Sequence, residues 1–283
     1  MAFQGLEISV PPIETPARPL PPLSGANLRR GLEAGARVLS RYGLLLGFLA
    51  LWQIASTAGW LNPSVFPPLD RIAATLWQGI VSGALLDDIA ISLQRAGIAF
   101  AASVAVGVPL GLAMGQMPAV ERALDPILQL FRQTSALALY PVFILLLGLG
   151  ETSKIFVIFW ASLFPILLAT IGGVQQVDGK LLEMARSFGA GRLTLFARVI
   201  LPAAVPAIFV GLRLSGTTAL LLLIAAEMIG ANKGLGFQVM NAQFNFRTDL
   251  MFAAIFLLAF LGLALNAALV AAQARFCRWS EPR

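Results

Sequence analysis

The chain has 283 residues, of which 58% are hydrophobic and 12% charged, whereas an ordinary soluble domain carries about 25% charged residues. It has no histidine and a single cysteine, Cys277, which excludes disulfide frameworks, zinc sites and imidazole-based nucleophilic catalysis. The net charge of +6 comes from scattered basic residues without interleaved aromatics, which argues against a nucleic-acid surface. The composition predicts a membrane protein that is not an enzyme and holds no metal.

Residues 1–41 begin the chain with a proline-rich stretch, Pro11-Pro12 through Pro21-Pro22. Such a stretch cannot hold a regular helix and has too little apolar surface for a core. We expect a flexible cytoplasmic tail. Because the tail lacks the apolar run and cleavage site of a secretory signal, the first hydrophobic block is interpreted as a retained span.

Six apolar blocks follow, most of them close to the ~20 residues that a helix needs to cross the bilayer. They cover about residues 42–61, a stretch within 89–117, 134–147, 155–174, 206–229 and 251–274. Within the second block, Gly107, Gly111 and Gly115 lie four residues apart and predict a close contact with another helix. The predicted fold is all-α, with six transmembrane helices in residues 42–274 and a short C-terminal tail, residues 275–283.

The basic residues indicate the orientation of these spans. With both termini inside, the inner segments hold fourteen lysines and arginines and the outer loops four. The inner ones are Arg18, Arg29, Arg30, Arg37, Arg41, Arg122, Arg132, Lys180, Arg186, Arg192, Arg198, Arg275, Arg278 and Arg283; the outer ones are Arg71, Lys154, Lys233 and Arg247. This bias predicts an inner (cytoplasmic) membrane protein with both termini in the cytoplasm.

The inner segment between the fourth and fifth blocks, residues 175–205, is too long and too patterned for a simple connection. Its composition predicts a short helix that stops at Gly189 to Gly191 and a second that ends near Leu201, where Pro202 breaks the pattern. Both are amphipathic and too short to span. They could dock in a partner's groove or rest among lipid headgroups, and the pattern alone suits both.

The order Glu183, Ala185, Gly189 and, after nine residues, Val199, Leu201 and Pro202 resembles the EAA loop of binding-protein-dependent ABC importer permeases. Met184 and Val199 replace the family's alanine and isoleucine and are also apolar. In that family the loop forms a coupling helix that contacts the ATP-hydrolysing subunit. The resemblance implies a type I ABC importer permease fold and an ATPase contact through Glu183, Met184, Ala185, Arg186, Ser187, Phe188 and Gly189, with Leu201 and Pro202 closing the motif.

The resemblance extends from about Asp87 to the C-terminus and includes Glu227 and Gly234-Leu235-Gly236. It points to the branch that imports sulfonates, taurine, nitrate and related solutes, and most closely to the sulfonate and taurine members. Nitrate or pyrimidine-precursor import, and in another class a secondary transporter or channel, are the alternatives. The implied partners are a second copy of the chain, two ATP-binding subunits, an extracytoplasmic binding protein and membrane lipid.

No nucleotide site is found in the chain itself. The stretch from Gly173 to Leu181 fails as a phosphate loop, because it has five residues between its glycines and Leu181 where a magnesium-binding Ser or Thr is needed. By the resemblance, the chain binds no cofactor, and ATP and Mg belong to the partner ATPase.

Charged and polar residues within or near the spans are candidates for the substrate path, because such residues are costly in the bilayer. The candidates are Arg95, Gln133, Thr134, Tyr140, Arg213 and Glu227. All of these except Glu227 have a structural alternative: Arg95 an anchor at the headgroups, Arg213 a side chain that snorkels, and the hydroxyl and amide groups hydrogen bonds between helices.

Overall fold

A computed structural model describes residues 43–277 and 279, and all regular structure in this part of the chain is helical. The helices are α1 (Gly43–Thr57), α2 (Leu69–Val81), α3 (Ala84–Gln116), α4 (Pro118–Gln133), α5 (Ala136–Leu147), α6 (Glu151–Gln175), α7 (Gly179–Ser187), α8 (Arg192–Leu195), α9 (Leu201–Gly230), α10 (Leu235–Phe244) and α11 (Thr248–Phe276). The predicted tail, residues 1–41, lies outside the described residues, as does nearly all of residues 275–283.

The chain divides by its internal contacts into two units, residues 1–54 and 55–283. The described part of the first unit is the start of α1, where the rings of Phe48 and Trp52 meet edge to face at 6.2 Å. The other helices, α2 to α11, belong to the second unit.

Within the described residues, four helices are long and apolar enough to cross a membrane: α3, α6, α11 and a continuous helix over Arg192–Gly230. They correspond to the second, fourth, sixth and fifth predicted blocks. The third block is α5, which meets α4 at a bend of 100° and adds a span only if the pair crosses as one. Helix α1 covers only about 22 Å at 1.5 Å per residue. The count of six spans therefore stays a prediction.

The glycine spacing in α3 produces the helix contact that it predicts. A Cβ on Gly111 would lie 2.6 Å from Cβ of Thr170 on α6, and one on Gly115 would lie 2.7 Å from Cβ of Val174. Gly107 faces Ile166 at 3.1 Å in the same way. The absence of side chains on this face of α3 lets the two helices approach closely.

Helix α6 lies between α3 and α9 and carries the largest buried cluster. Gly211 on α9 repeats the close approach from the other side, since its Cβ would lie 2.5 Å from Cβ of Ala169. The fully or nearly fully buried members of the cluster include Ala99, Tyr140, Val157, Ile158 and Leu223. The packed unit α3–α6–α9 is the frame on which the polar residues are held.

Pro202 does not end the second short helix, contrary to the prediction. Residues Phe196–Ile200 form a π turn, and the helix continues through Pro202 into α9. Proline has no N–H to donate and its ring crowds the preceding turn, which normally kinks or stops a helix. A π turn directly before the proline changes the hydrogen-bond register at that place, so the helix continues.

Candidate functional site

Helix α7 lies in the segment that resembles the EAA loop, and its two ends are defined by side-chain and backbone capping. The Asp178 carboxylate accepts a hydrogen bond from the Lys180 N–H at 2.9 Å and caps the start. At the end, Gly189 N–H donates to the Arg186 carbonyl at 2.9 Å and Ala190 N–H to the Ala185 carbonyl at 3.0 Å. This pair of bonds is the Schellman motif, which requires a left-handed residue after the helix.

Gly189 supplies that left-handed conformation, with φ +78°. A side chain there would meet no atom within 4 Å, so the need for glycine is conformational and not a matter of space. The glycine of the sequence motif therefore has a local physical reason: it ends α7 and turns the chain towards α8.

The turn between α7 and α8 exposes large apolar side chains. Phe188 is 86% exposed, Leu193 is 80% exposed, and Met184 is also largely exposed. Leu195, by contrast, is buried. Exposed apolar groups concentrated at one turn are typical of a docking surface or of contact with lipid.

Arg95, which the sequence predicts at the outer side, is buried among carboxylates. Its Nη1 donates to Glu227 at 2.8 Å and to the Lys233 carbonyl at 2.7 Å. Its Nε and Nη2 donate to Glu151 at 2.5 and 2.7 Å, and Lys154 Nζ reaches the same carboxylate at 3.0 Å. Arg95 therefore joins α3, α6, α9 and the connection before α10.

The start of α10 is held by side chains from α3. The Asp88 carboxylate accepts from Gly234 N–H and from Gln238 Nε2, each at 2.7 Å. The Ser92 hydroxyl oxygen accepts from Leu235 N–H at 2.9 Å. These bonds satisfy backbone donors at a helix start that is closed from water, where they would otherwise be left without acceptors.

Glu227 completes this arrangement and is fully buried. It accepts from Gly236 N–H at 2.8 Å. A Cβ on Gly234 would lie 2.5 Å from the Glu227 carboxylate, and one on Gly236 would lie 2.7 Å from the Ile224 carbonyl. The two glycines of the Gly-Leu-Gly motif thus let the backbone of α10 approach the carboxylate.

The structure separates the predicted substrate-path residues into two groups. Arg95, Glu227 and Tyr140 are buried, and the Tyr140 hydroxyl donates to the Ala226 carbonyl at 3.4 Å. Gln133, Thr134 and Arg213 are exposed on the surface of the chain.

In the part of the chain that the structure describes, the Arg213 guanidinium has no hydrogen-bonded or ionic partner, while its backbone carbonyl accepts from the Thr217 hydroxyl. It lies at a groove of about 490 Å³ between α9 and α11, together with Asn266.

The sequence prediction did not include Asp88, Ser92 or Glu151 among the candidate residues. A signal for the first two was present, because Asp88, Ser92 and Arg95 are spaced four and three residues apart and therefore lie on one face of α3. A polar stripe at that spacing in an apolar helix indicates a buried network. Glu151 offers no such signal, because it stands alone at the start of α6.

The chain is similar to membrane components of known transport systems. Residues 107–279 match the family described as "Binding-protein-dependent transport system inner membrane component". The putative aliphatic sulfonates transport permease protein SsuC of Escherichia coli (strain K12) is 39% identical over 84% of this chain and 90% of its own length. The taurine transport system permease protein TauC of the same organism is 36% identical over 84% and 88%.

Among solved structures, an inward-facing conformation of the MetNI methionine ABC transporter is similar in fold. It has a TM-score of 0.57 and 19% sequence identity, and the match covers 68% of this chain and 95% of that one.

Proposed function

We propose that this chain forms the path by which an ATP-driven importer moves an aliphatic sulfonate or taurine. The proposal starts from its family, because the chain belongs to the binding-protein-dependent transport system inner membrane components. The chain is a multi-pass membrane permease subunit of an ABC importer. Family membership removes the secondary transporter and the channel as alternatives. The substrate, the docking surface and the assembly are proposals.

The substrate class rests on two relatives. SsuC and TauC, at 39% and 36% identity over most of the chain, are named for aliphatic sulfonates and for taurine. Both solutes carry a sulfonate on a short carbon chain. Uptake by the reconstituted complex should therefore be higher for taurine or 1-butanesulfonate than for nitrate or a pyrimidine precursor.

Uptake of radiolabelled solute into proteoliposomes measures this preference directly. Faster accumulation of nitrate or of a pyrimidine precursor, with no sulfonate uptake, would move the chain to another branch of the family.

The ATPase contact is assigned to α7 and the turn that follows it. The observation that carries this assignment is the exposure of Phe188, Leu193 and Met184 beside the Schellman turn at Gly189. An apolar surface carried by a helix on the predicted inner side suits a groove in a partner protein. Arg186 and Glu183 are exposed on the same helix and would orient it there.

Gly189→Asp tests the docking proposal. Asp tolerates the left-handed conformation better than most residues, and no atom of the described residues lies within 4 Å of an added Cβ. The fold should therefore survive. A charge buried in the interface should weaken copurification of the ATPase at least tenfold, about 1.4 kcal/mol, and abolish ATP-driven uptake.

Gly59→Asp is the matched control. Gly59 has φ +77° and also has no atom within 4 Å of an added Cβ, but it lies on the predicted outer side. The Gly59→Asp variant should bind the ATPase normally. Normal ATPase binding and uptake in the Gly189 variant would show that α7 does not dock.

The complete importer is proposed to contain a second copy of this chain, two ATP-binding subunits and an extracytoplasmic binding protein. The binding protein would meet the outer segments 62–88 and 231–249, which include α2 and α10. ATP and Mg would act on the partner subunits. Of the predicted path residues, Gln133, Thr134 and Arg213 are exposed and available to line a path, while Arg95, Tyr140 and Glu227 hold helices together.

A further inference from the structure

A cavity of about 380 Å³ lies where α4 and α5 meet, against the middle of α6 and α9. The α6 residues at this cavity run from Trp160 to Leu168, roughly 14 to 26 Å along a helix that rises 1.5 Å per residue. Its volume falls in the range of about 300–1,000 Å³ that is typical of small-molecule sites. The cavity therefore lies beside the middle of α6 and is large enough for a small solute.

The polar groups of the cavity favour an anion. Arg132, at the end of α4, lines it, and in the described part of the chain its partner is the neutral Gln129. The hydroxyls of Thr134 and Ser135 line the break between the two helices. Among the described residues no carboxylate lines the cavity, so none of them neutralises the guanidinium charge there.

Trp160 adds a hydrogen-bond donor that the protein leaves unused. Its indole N–H is buried and has no hydrogen-bond partner among the described residues. The rings of Phe131, Phe143, Phe156 and Phe164 surround the Trp160 ring at centroid distances of 5.0–6.1 Å, and aromatic faces are only weak acceptors. A buried donor without a strong acceptor is costly, and Trp160 also lines the cavity. The nitrogen itself is covered in this structure, so an oxyanion in the cavity would accept from it after a turn of the indole ring.

Apart from Thr218, the remaining wall is apolar. Phe131, Phe164 and Leu168 line the cavity beside the polar groups. A site with apolar walls and a few polar groups at one place suits an amphipathic solute with one charged end. Inorganic anions, which have no apolar part, would leave these walls without a partner.

We infer that this cavity binds a small organic oxyanion, with its head at Arg132, Thr134, Ser135 and the Trp160 N–H and its carbon chain against Phe131, Phe164 and Leu168. The inference rests on the proposed function, since it identifies the cavity as a sulfonate site within the permease itself. The 100° bend between α4 and α5 places the start of α5 at the site, and a helix start favours negative charge.

The test is equilibrium binding of radiolabelled 1-butanesulfonate to the whole permease–ATPase complex in nanodiscs, without the binding protein. Binding should be saturable and should tighten about three- to fourfold for each methylene from ethane- to butanesulfonate, the equivalent of ~0.8 kcal/mol. Trp160→Phe, which keeps the ring and removes the donor, and Arg132→Gln should each weaken binding tenfold or more. Arg132 is exposed, so its variant does not put folding at risk.

Trp77→Phe is the matched control, because Trp77 lies on α2 and is exposed, and it should leave binding unchanged. Equal binding by wild type and both cavity variants overturns the inference. Uptake of butanesulfonate through the complete importer without any binding to the permease overturns the inference alone. Loss of both binding and uptake in the wild type overturns the proposed substrate as well.

Discussion

Asp87 and Asp88 are neighbours in α3 whose side chains have different surroundings. The Asp88 carboxylate is buried and accepts hydrogen bonds from Gly234 N–H and from Gln238. The Asp87 side chain is exposed. The difference follows from helix geometry, because only Asp88 lies on the face with Ser92 and Arg95. Side chains from two other helices, α3 and α9, therefore cap the start of α10.

Asp88→Ala should lower the free energy of unfolding by about 1–3 kcal/mol, because it leaves the Gly234 N–H buried without an acceptor. Asp87→Ala should change it by less than ~1 kcal/mol, the usual value of an exposed charge at a helix start. Thermal unfolding of the complex in detergent measures both. Equal effects would mean that the cap on α10 contributes nothing measurable.

Helices α3 and α6 pack closely along a stripe of glycines. Three glycines on one face of α3 meet Ile166, Thr170 and Val174. Four-residue spacing brings the glycines onto a single stripe, and the stripe fits the ridge on α6. The two helices approach closely because the glycines carry no side chain along this stripe, so even an added methyl group would disturb the contact.

Gly111→Ala should destabilise the permease by about 1–3 kcal/mol, because its Cβ would lie 2.6 Å from Thr170 Cβ and 3.0 Å from the Leu167 carbonyl. Gly97→Ala on the same helix has no atom within 4 Å of its Cβ and should be neutral or stabilising by up to ~1 kcal/mol, through helix propensity alone. A Gly111 variant as stable as the Gly97 variant would contradict this packing.

The whole molecule has a predicted orientation, fourteen basic residues inside against four outside, which places the turn after α7 in the cytoplasm. Two exposed side chains lie on opposite predicted sides: Leu193 in α8 and Trp60 after α1, which is 73% exposed. The single native thiol, Cys277, is buried, and burial raises its pKa. A thiol of this kind reacts slowly with maleimides.

In a Cys277→Ser background, Trp60→Cys should react with a membrane-impermeant maleimide in intact spheroplasts. Leu193→Cys should react only after the membrane is permeabilised. Gel-shift of the labelled chain measures both. The reverse pattern would invert the predicted orientation and remove the ATPase contact from α7.

The sequence by itself determined the membrane class, the apolar blocks and the stop at Gly189. These follow from local composition: a long apolar block needs a bilayer, and a left-handed helix end needs glycine. The glycine stripe on α3 was also predictable, because four-residue spacing lies on one helix face. The same local reasoning did not identify α2, α4 and α10 as helices, since they are short and lie in segments interpreted as loops.

Only the tertiary structure decided how the charged and proline residues are used. Arg95 and Glu227 are 132 residues apart in sequence, and nothing local shows that one neutralises the other. The sequence predicts a helix end at Pro202, yet the helix continues past Pro202 after a π turn. Which charged side chains pair over such separations in sequence depends on how the helices pack. The sequence therefore fixes which side chains are costly in a membrane, whereas the fold decides which groups neutralise them.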